Sequence, residues 1–354
     1  MSKKAILVGV NYLKSNKYRL SSPINDINIM RDFLVNYCNY QTEDIIMLSD
    51  SPKIEKSASF FNITKELKEC NELDEDDFLF IFMSGHGSTI MDINGDESDD
   101  KDELFLPQDW EINKITDDLM KTILKDLKCR TFIMFDCCNS GTMCDLKYTY
   151  DIKNLELRNN LKTEDMKNDI ICLSSSGENK NTFEKFVEKN LINNDKNKFY
   201  GELTIFFLQL MKNYLETNLT FVELTYESLI TCLNEYLFEM NQKDIDKKTV
   251  NYRLKHNILK NLNLKPFMSA SNKTVIKNKF LYNLTDDKNE EREELNIVNV
   301  LKRKTVSSLS YKYLRLKRKT DYLEKINKNL VERNNKLLSV ISGKLNYNFG
   351  MLNR

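Results

Sequence analysis

Two histidines occur among the 354 residues, and one of them, His86, lies in Ser84-Gly85-His86-Gly87 at the end of an apolar run over 78–83. A second apolar run, over 131–135, ends in Asp136-Cys137-Cys138-Asn139-Ser140-Gly141. Each run reads as a short buried strand broken by glycine, with a reactive side chain at its C-terminal end. A thiol and an imidazole so placed are the parts of a nucleophile and its base. A thiol near its free pKa is mostly protonated at neutral pH, so it needs such a neighbour. Glycines on both sides of His86 let the backbone turn sharply and bring a ligand close. The N–H of Gly87, with that of Cys138, is then directed toward an oxyanion.

Side chains alternate along a strand, so Asp136 and Cys138 share a face while Cys137 points the other way. Cys138, nearer the Ser-Gly turn, is expected to be the exposed thiol. Cys137 reads as core, the common environment of a free cysteine. A carboxylate beside the nucleophile raises rather than lowers a thiol pKa. Asp136 is therefore expected to line a pocket for a cationic substrate side chain.

The elements that must position these groups follow from hydrophobic periodicity. Residues 6–10, 45–48, 78–83, 131–136 and 170–173 read as strands. Between them, 24–37, 57–72 and 116–127 carry apolar residues at helical spacing, with Ile63 off the apolar face of the second and Thr116 as a cap for the third. Two more helices are expected over 200–215 and 226–240, and a last edge strand over 261–268. Strand alternating with helix, in runs apolar on both faces, predicts a mostly parallel sheet covered by helices. In such a sheet the active site lies at the C-terminal strand edge.

Charge divides the chain although its net value is zero. Residues 296–354 hold 14 basic and 3 acidic side chains, so the rest is an acidic body. The apolar alternation stops near 272, giving a body over 1–271 and a basic helical extension over 272–354. Within the extension, Leu309, Leu316, Leu323, Leu330 and Leu337 repeat every seven residues. Only Ile326 and Val340 support the second seam position, so the stripe reads either as half a coiled coil or as a helix packed on the body. The clusters 302–304 and 317–319 suit nucleic acid, anionic membrane or a partner helix, or form a solvated face. The first apolar stretch is too short for a secretory signal, and no stretch reaches the length of a membrane span. Eight cysteines in this context point to reduced thiols and a cytoplasmic setting, with the basic clusters adding a nuclear option.

The run 5–10, Asn25-Asp26, Ser84-Gly85-His86-Gly87 and Asp136-Cys137-Cys138-Asn139-Ser140-Gly141 occur in the order and spacing of the metacaspases, the Ca²⁺-dependent branch of the caspase-like cysteine proteases. The resemblance covers about 1–270. It includes Ser174-Ser175-Ser176-Gly177 at the start of a small p10-like part (170–271), which follows a p20-like part (1–145) and a linker loop (146–169). It implies a caspase-like α/β/α sandwich and a monomeric catalytic body. It implies a His86–Cys138 dyad and a primary pocket of Asp26, Ser84 and Asp136 for Arg or Lys before the scissile bond. It also implies a Ca²⁺ site of Asp102, Asp117, Asp118 and Asp145. On residues alone the acidic stretch 92–103 only superficially suggests an EF-hand, since the twelfth-position Glu and flanking helices do not follow. Lys147, Lys153, Arg158 and Lys162 are candidate self-cleavage points.

Two positions depart from the family pattern: Asn139 stands where His is usual, and Pro23 where Cys is common. They keep open a second class of function, a catalytically weak or inactive scaffold acting through its basic leucine-repeat tail. A legumain-like protease shares the Ser-Gly-His-Gly logic but is a secreted type.

Overall fold

The computed structural model describes residues 2–92, 101–151, 156–159, 163, 166–176, 184–189, 196–216, 226, 229 and 266–272. The chain divides into Met1–Asp286 and Asp287–Arg354, and every described residue belongs to the former.

Strand and helix alternate from the N-terminus. β1 (Lys3–Gly9) leads to α1 (Pro23–Tyr37), then β2 (Ile45–Ser49), the short β3 (Lys56–Ser57) and α2 (Phe60–Glu69). β4 (Phe78–Ser84) follows, then β5 (Gly87–Met91), β6 (Lys101–Phe105), β7 (Ile115–Thr116) and α3 (Asp117–Asp126). β8 (Arg130–Asp136), β9 (Tyr148–Asp151), β10 (Glu156–Asn159) and β11 (Ile170–Ser174) come next. β12 (Glu184–Lys189), β13 (Lys196–Gly201), α4 (Glu202–Glu216) and β14 (Phe267–Ala270) complete the described set.

The main sheet runs β10-β9-β14-β11-β8-β4-β1-β2-β3. Its centre is parallel: β2 on β1, β1 on β4, β4 on β8 and β8 on β11. β4 is buried along its whole length, which is why it reads as continuous rather than alternating apolar sequence. Alternate residues of these strands feed two separate cores. Phe80, Phe82, Phe132 and Met134 pack with Ile27, Met30 and Phe33 of α1 and Leu203 and Phe207 of α4. Ile81, Met83, Ile133 and Phe135 pack with Ile63 and Leu67 of α2 and Met120 and Ile123 of α3. Helices therefore cover both faces, as the expected α/β/α sandwich requires.

Helix starts are locally encoded. Pro23 stands in the first turn of α1. Ser59 caps α2 by accepting the Asn62 N–H at 3.3 Å, and Thr116 caps α3 by accepting the Leu119 N–H at 3.1 Å.

Four expectations need correction. The stretch 146–169, taken as a linker loop, contains the β9–β10 hairpin, whose Tyr148 and Tyr150 are buried. The last strand is not an edge: β14 lies between β11 and β9, and β10 forms the edge. Ile63, expected off the apolar face of α2, is fully buried, whereas Phe61 is 70% exposed. Starting the helix at Phe60 puts Ile63, Leu67 and Cys70 at i, i+4 and i+7, one face. The small antiparallel sheet β5-β6-β7 and the β12–β13 hairpin were not foreseen. Nearly all of the helix over 226–240, the linked acidic stretch 93–100 and the whole extension from 273 lie outside the described residues. Among the described residues no helix is long and apolar enough to cross a membrane.

Candidate active site

The parallel ladder between β4 and β8 pairs Ser84 with Asp136. His86 and Cys138 each follow two residues beyond that pair, on strands about 4.8 Å apart. Gly87 then closes directly on the Cys138 backbone, and a Cβ at position 87 would overlap the Cys138 carbonyl oxygen. Glycine here is a requirement of close approach, as the sequence suggested.

The thiol loop is pinned from below. The Cys137 carbonyl accepts hydroxyl hydrogen bonds from Ser140 at 2.9 Å, Ser175 at 3.0 Å and Ser176 at 3.3 Å. Cys137 is buried in the second core and burial pushes its thiol well up, whereas Cys138 is half-buried. Asn139 takes φ 47°, a left-handed conformation that Asn tolerates better than most residues. The departure at this position thus suits the turn that presents Cys138.

The imidazole is held on three sides. Nε2 of His86 lies 2.8 Å from the carbonyl oxygen of Tyr18, and since a carbonyl only accepts, Nε2 carries the proton. The lone pair is then on Nδ1, the state a base needs. The His86 main-chain N–H donates to the Tyr12 hydroxyl at 2.8 Å, and the Tyr12 ring lies 4.7 Å from the imidazole, centre to centre. The Leu106 N–H donates to the His86 carbonyl at 3.0 Å. With Gly87 opposite Phe105, that bond marks a non-hydrogen-bonded pair of the β5–β6 ladder. The Gly87 N–H therefore points away from β6 and is not used by that ladder.

Asp26, Ser84 and Asp136 are brought together. The Ser84 hydroxyl donates to Asp26 Oδ2 at 2.8 Å, and the Gly201 N–H donates to Asp26 Oδ1 at 2.9 Å. Thr204, in the first turn of α4, donates to Asp136 Oδ2 through its N–H at 2.8 Å and its hydroxyl at 2.7 Å. Asp136 so occupies a helix N-terminus, where negative charge is favoured. Both carboxylates are buried, and burial pushes both pKa values up; for Asp26 the neighbouring Asp136 adds to the rise. Oδ1 of Asp136 is buried with no hydrogen-bond partner among the described residues. Two neighbouring carboxylates with a spare acceptor are chemically complementary to a cation carrying N–H donors. Gly201 is wedged between the two acids: a Cβ there would overlap the Asp136 carboxylate.

The four residues expected to bind a cation lie around β6, α3 and the turn after Cys144. Asp102, Asp117 and Asp145 are buried, and Asp118 is half-buried. Both oxygens of Asp117 accept main-chain N–H bonds, from Glu103 at 2.7 Å and Asp118 at 2.8 Å. Burial, with Asp145 nearby, pushes Asp117 up to about 7. Lys121 donates to Asp145 Oδ2 at 3.0 Å. Glu103 is buried next to Asp102 on β6. Among the described residues no three acidic, His or Cys side chains converge tightly enough to hold a metal as they stand. The donor set itself is all oxygen and acidic, chemistry that suits a hard divalent cation, and the Lys121 ammonium supplies positive charge beside Asp145.

Several contributors had no sequence signal. Tyr18 acts through its carbonyl, which every residue possesses. Gly201 and Thr204 reach Asp26 and Asp136 from 175 and 68 residues away. Tyr12 had a weak signal, an aromatic just after the first strand, which was passed over.

Part of the chain is similar to known proteins. Residues 3–147 match the family model described as the metacaspase, peptidase C14 domain. Metacaspase-1 of Candida glabrata is 38% identical over 159 residues, covering 43% of this chain and 40% of that protein. Metacaspase-1 of Yarrowia lipolytica is 37% identical over 172 residues, 46% of this chain and 36% of the relative. Metacaspase-1 of Saccharomyces cerevisiae is 35% identical over 161 residues, 43% and 37% respectively. The chain spans about two fifths of the length of these curated relatives.

Proposed function

Since residues 3–147 match the family model of the metacaspase, peptidase C14 domain, we propose that this chain is a cysteine endopeptidase that cleaves proteins or peptides after Arg or Lys. The observation that carries the proposal is the β4–β8 register, which sets the His86 turn beside the Cys138 turn and closes Gly87 on Cys138.

The chemistry follows from the groups present. The Cys138 thiol passes its proton to Nδ1 of His86, and the Tyr18 carbonyl stabilises the imidazolium through Nε2–H. The thiolate attacks the scissile carbonyl carbon, and the resulting oxyanion is met by the Gly87 N–H. His86 returns the proton to the leaving amine, leaving a thioester on Cys138. Water, deprotonated by His86, then hydrolyses the thioester and restores the thiol. The residue before the scissile bond presents its guanidinium or ammonium to Asp26 and Asp136. There it exchanges with the Gly201 and Thr204 donors and takes up the unpartnered Asp136 oxygen. An Asp side chain in that place would meet two carboxylates and be rejected.

Ca²⁺ is proposed as an activator held by Asp102, Asp117, Asp118 and Asp145, with Lys121 released from Asp145 as it binds. When bound, the ion would supply charge that ties β6, α3 and the turn after Cys144 together. Self-processing is proposed within 147–167, where Lys147 and Arg158 flank and enter the β9–β10 hairpin. Cysteine usage supports a cytoplasmic setting. Turnover of a fluorogenic Arg peptide by the full chain, lost in Cys138→Ala, tests the proposal; equal turnover by both proteins overturns it.

A further inference from the structure

The loop joining β1 to α1 carries both of the groups that hold the His86 imidazole, and it has an anchor of its own. Tyr12 has φ 54°, a left-handed conformation that is costly for a bulky aromatic residue. Asp50, at the end of β2, holds it there from both sides. Oδ1 accepts the Asn11 N–H at 2.9 Å and Oδ2 accepts the Leu13 N–H at 2.7 Å. The Asn11 carbonyl accepts the Leu20 N–H at 2.9 Å, closing the loop at its base, and the Asn11 side chain accepts the Ile24 N–H at 2.9 Å. Residues 11–20 are thus one fastened unit.

The left-handed turn drives the Tyr12 side chain under the histidine. Its hydroxyl accepts the His86 N–H at 2.8 Å and donates to the Leu106 carbonyl at 2.6 Å. Its ring lies beside the imidazole, tilted by 38°. Tyr12 is buried, and its hydroxyl both accepts and donates a hydrogen bond. Six residues further along the same loop, the Tyr18 carbonyl fixes Nε2. One element therefore supports the histidine backbone, the ring face and the tautomer together.

We propose that Tyr12, locked in its left-handed turn by Asp50, is the positioning residue that holds His86 in the Nε2-protonated orientation facing Cys138. The inference rests on His86 being the base of the proposed peptidase. In this role Tyr12 and Asp50 act through the imidazole, not on the substrate. A shift of the ring by a fraction of its width lengthens the Nε2–H to Tyr18 bond and spoils the line from Nδ1 to the thiol, and misplacement of about 1 Å can cost about a hundredfold in rate.

The test uses the full chain with Tyr12→Phe, which removes only the hydroxyl, and Asp50→Asn, which weakens the anchor by a different route. Steady-state kinetics on an Arg peptide are combined with nitrogen NMR of histidine-labelled protein. The chain holds only two histidines, so the His86 signals are identified by their loss in His86→Gln. The expected result is a fall in kcat of about tenfold or more with KM within about twofold, faster exchange of the Nε2 proton and a loss of tautomer preference. If either variant folds and keeps kcat within about twofold with unchanged nitrogen signals, the inference is overturned. If one variant does not fold, the other decides. Should Cys138→Ala retain activity, the peptidase proposal itself fails; should Cys138→Ala be dead while Tyr12→Phe is unaffected in both readouts, only the positioning role fails.

Discussion

The carbonyl oxygen of Tyr18 accepts a hydrogen bond from Nε2 of His86 at 2.8 Å, so a main-chain atom sets which nitrogen of the imidazole is free. With Nε2 protonated, Nδ1 is the acceptor, and the third member of the proposed catalytic arrangement needs no carboxylate. Its strength depends on where the loop over residues 11–20 is fastened, not on the side chain at position 18.

The first prediction concerns the thiol. Cys138 is half-buried whereas Cys38, Cys70, Cys129, Cys137, Cys144 and Cys172 are buried. Brief iodoacetamide treatment with peptide mapping should label Cys138 ahead of these six. In His86→Gln, labelling at neutral pH should fall, because the thiol loses its base. Equal labelling across pH in both proteins would remove imidazole assistance.

Asp26 and Asp136 make the second prediction, on pH. Burial raises both carboxylates above their ordinary value of 3.8, so the folded chain binds protons more tightly than the unfolded chain. Their contribution to stability is therefore complete below pH about 4 and declines as pH rises through the raised values. Asp26→Asn relieves one of the two buried like charges while keeping an acceptor for Gly201 and a partner for Ser84. It should flatten the decline and stabilise the neutral-pH protein by ~1–2 kcal/mol, while sharply lowering kcat/KM on Arg peptides. Thermal melts between about pH 4 and 8 check this; an unchanged pH slope contradicts it.

Gly201→Ala is the third. Its Cβ would overlap the Asp136 carboxylate, which Thr204 holds in place. The expected cost is ~1–3 kcal/mol in stability, with KM for Arg peptides raised and the Cys138 alkylation rate unchanged. An unchanged KM would show that Gly201 does not shape the pocket.

The fourth concerns Lys121, which donates to Asp145 at 3.0 Å. If this ammonium occupies the place of a divalent cation, Lys121→Met removes a competitor worth ~1 kcal/mol. Ca²⁺ should then bind about fivefold more tightly by calorimetry. Weaker or unchanged Ca²⁺ binding in the variant contradicts a shared site.

The sequence made the parallel centre legible because strands buried on both faces appear as unbroken apolar runs, as over 78–83 and 131–135. The two strand-end motifs were legible for the same reason: glycine and reactive residues abruptly follow apolar ones. The β9–β10 hairpin was not, because Tyr148-Thr149-Tyr150 is too short an alternation to stand out from its polar surroundings. The β12–β13 hairpin hid for another reason. Among its described residues only Val187 and Tyr200 face the core while its cross-strand pair Phe186 and Phe199 is half-exposed, so polar residues dominate its sequence. Within the site, side-chain roles were readable and main-chain roles were not. The Tyr18 carbonyl and the Gly201 N–H belong to the backbone, and only the assembled fold brings them to His86 and Asp26.

The central claim is that Cys138, activated by His86, cuts peptides after a basic residue. Its most direct measurement is mass spectrometry of a peptide with one Arg and one Asp, incubated with the full chain and Ca²⁺, beside the Cys138→Ala protein. The proposal predicts cleavage after Arg, none after Asp, and an intact peptide with the variant. Cleavage after Arg at the same rate by Cys138→Ala, or an intact peptide with the unaltered chain, contradicts it.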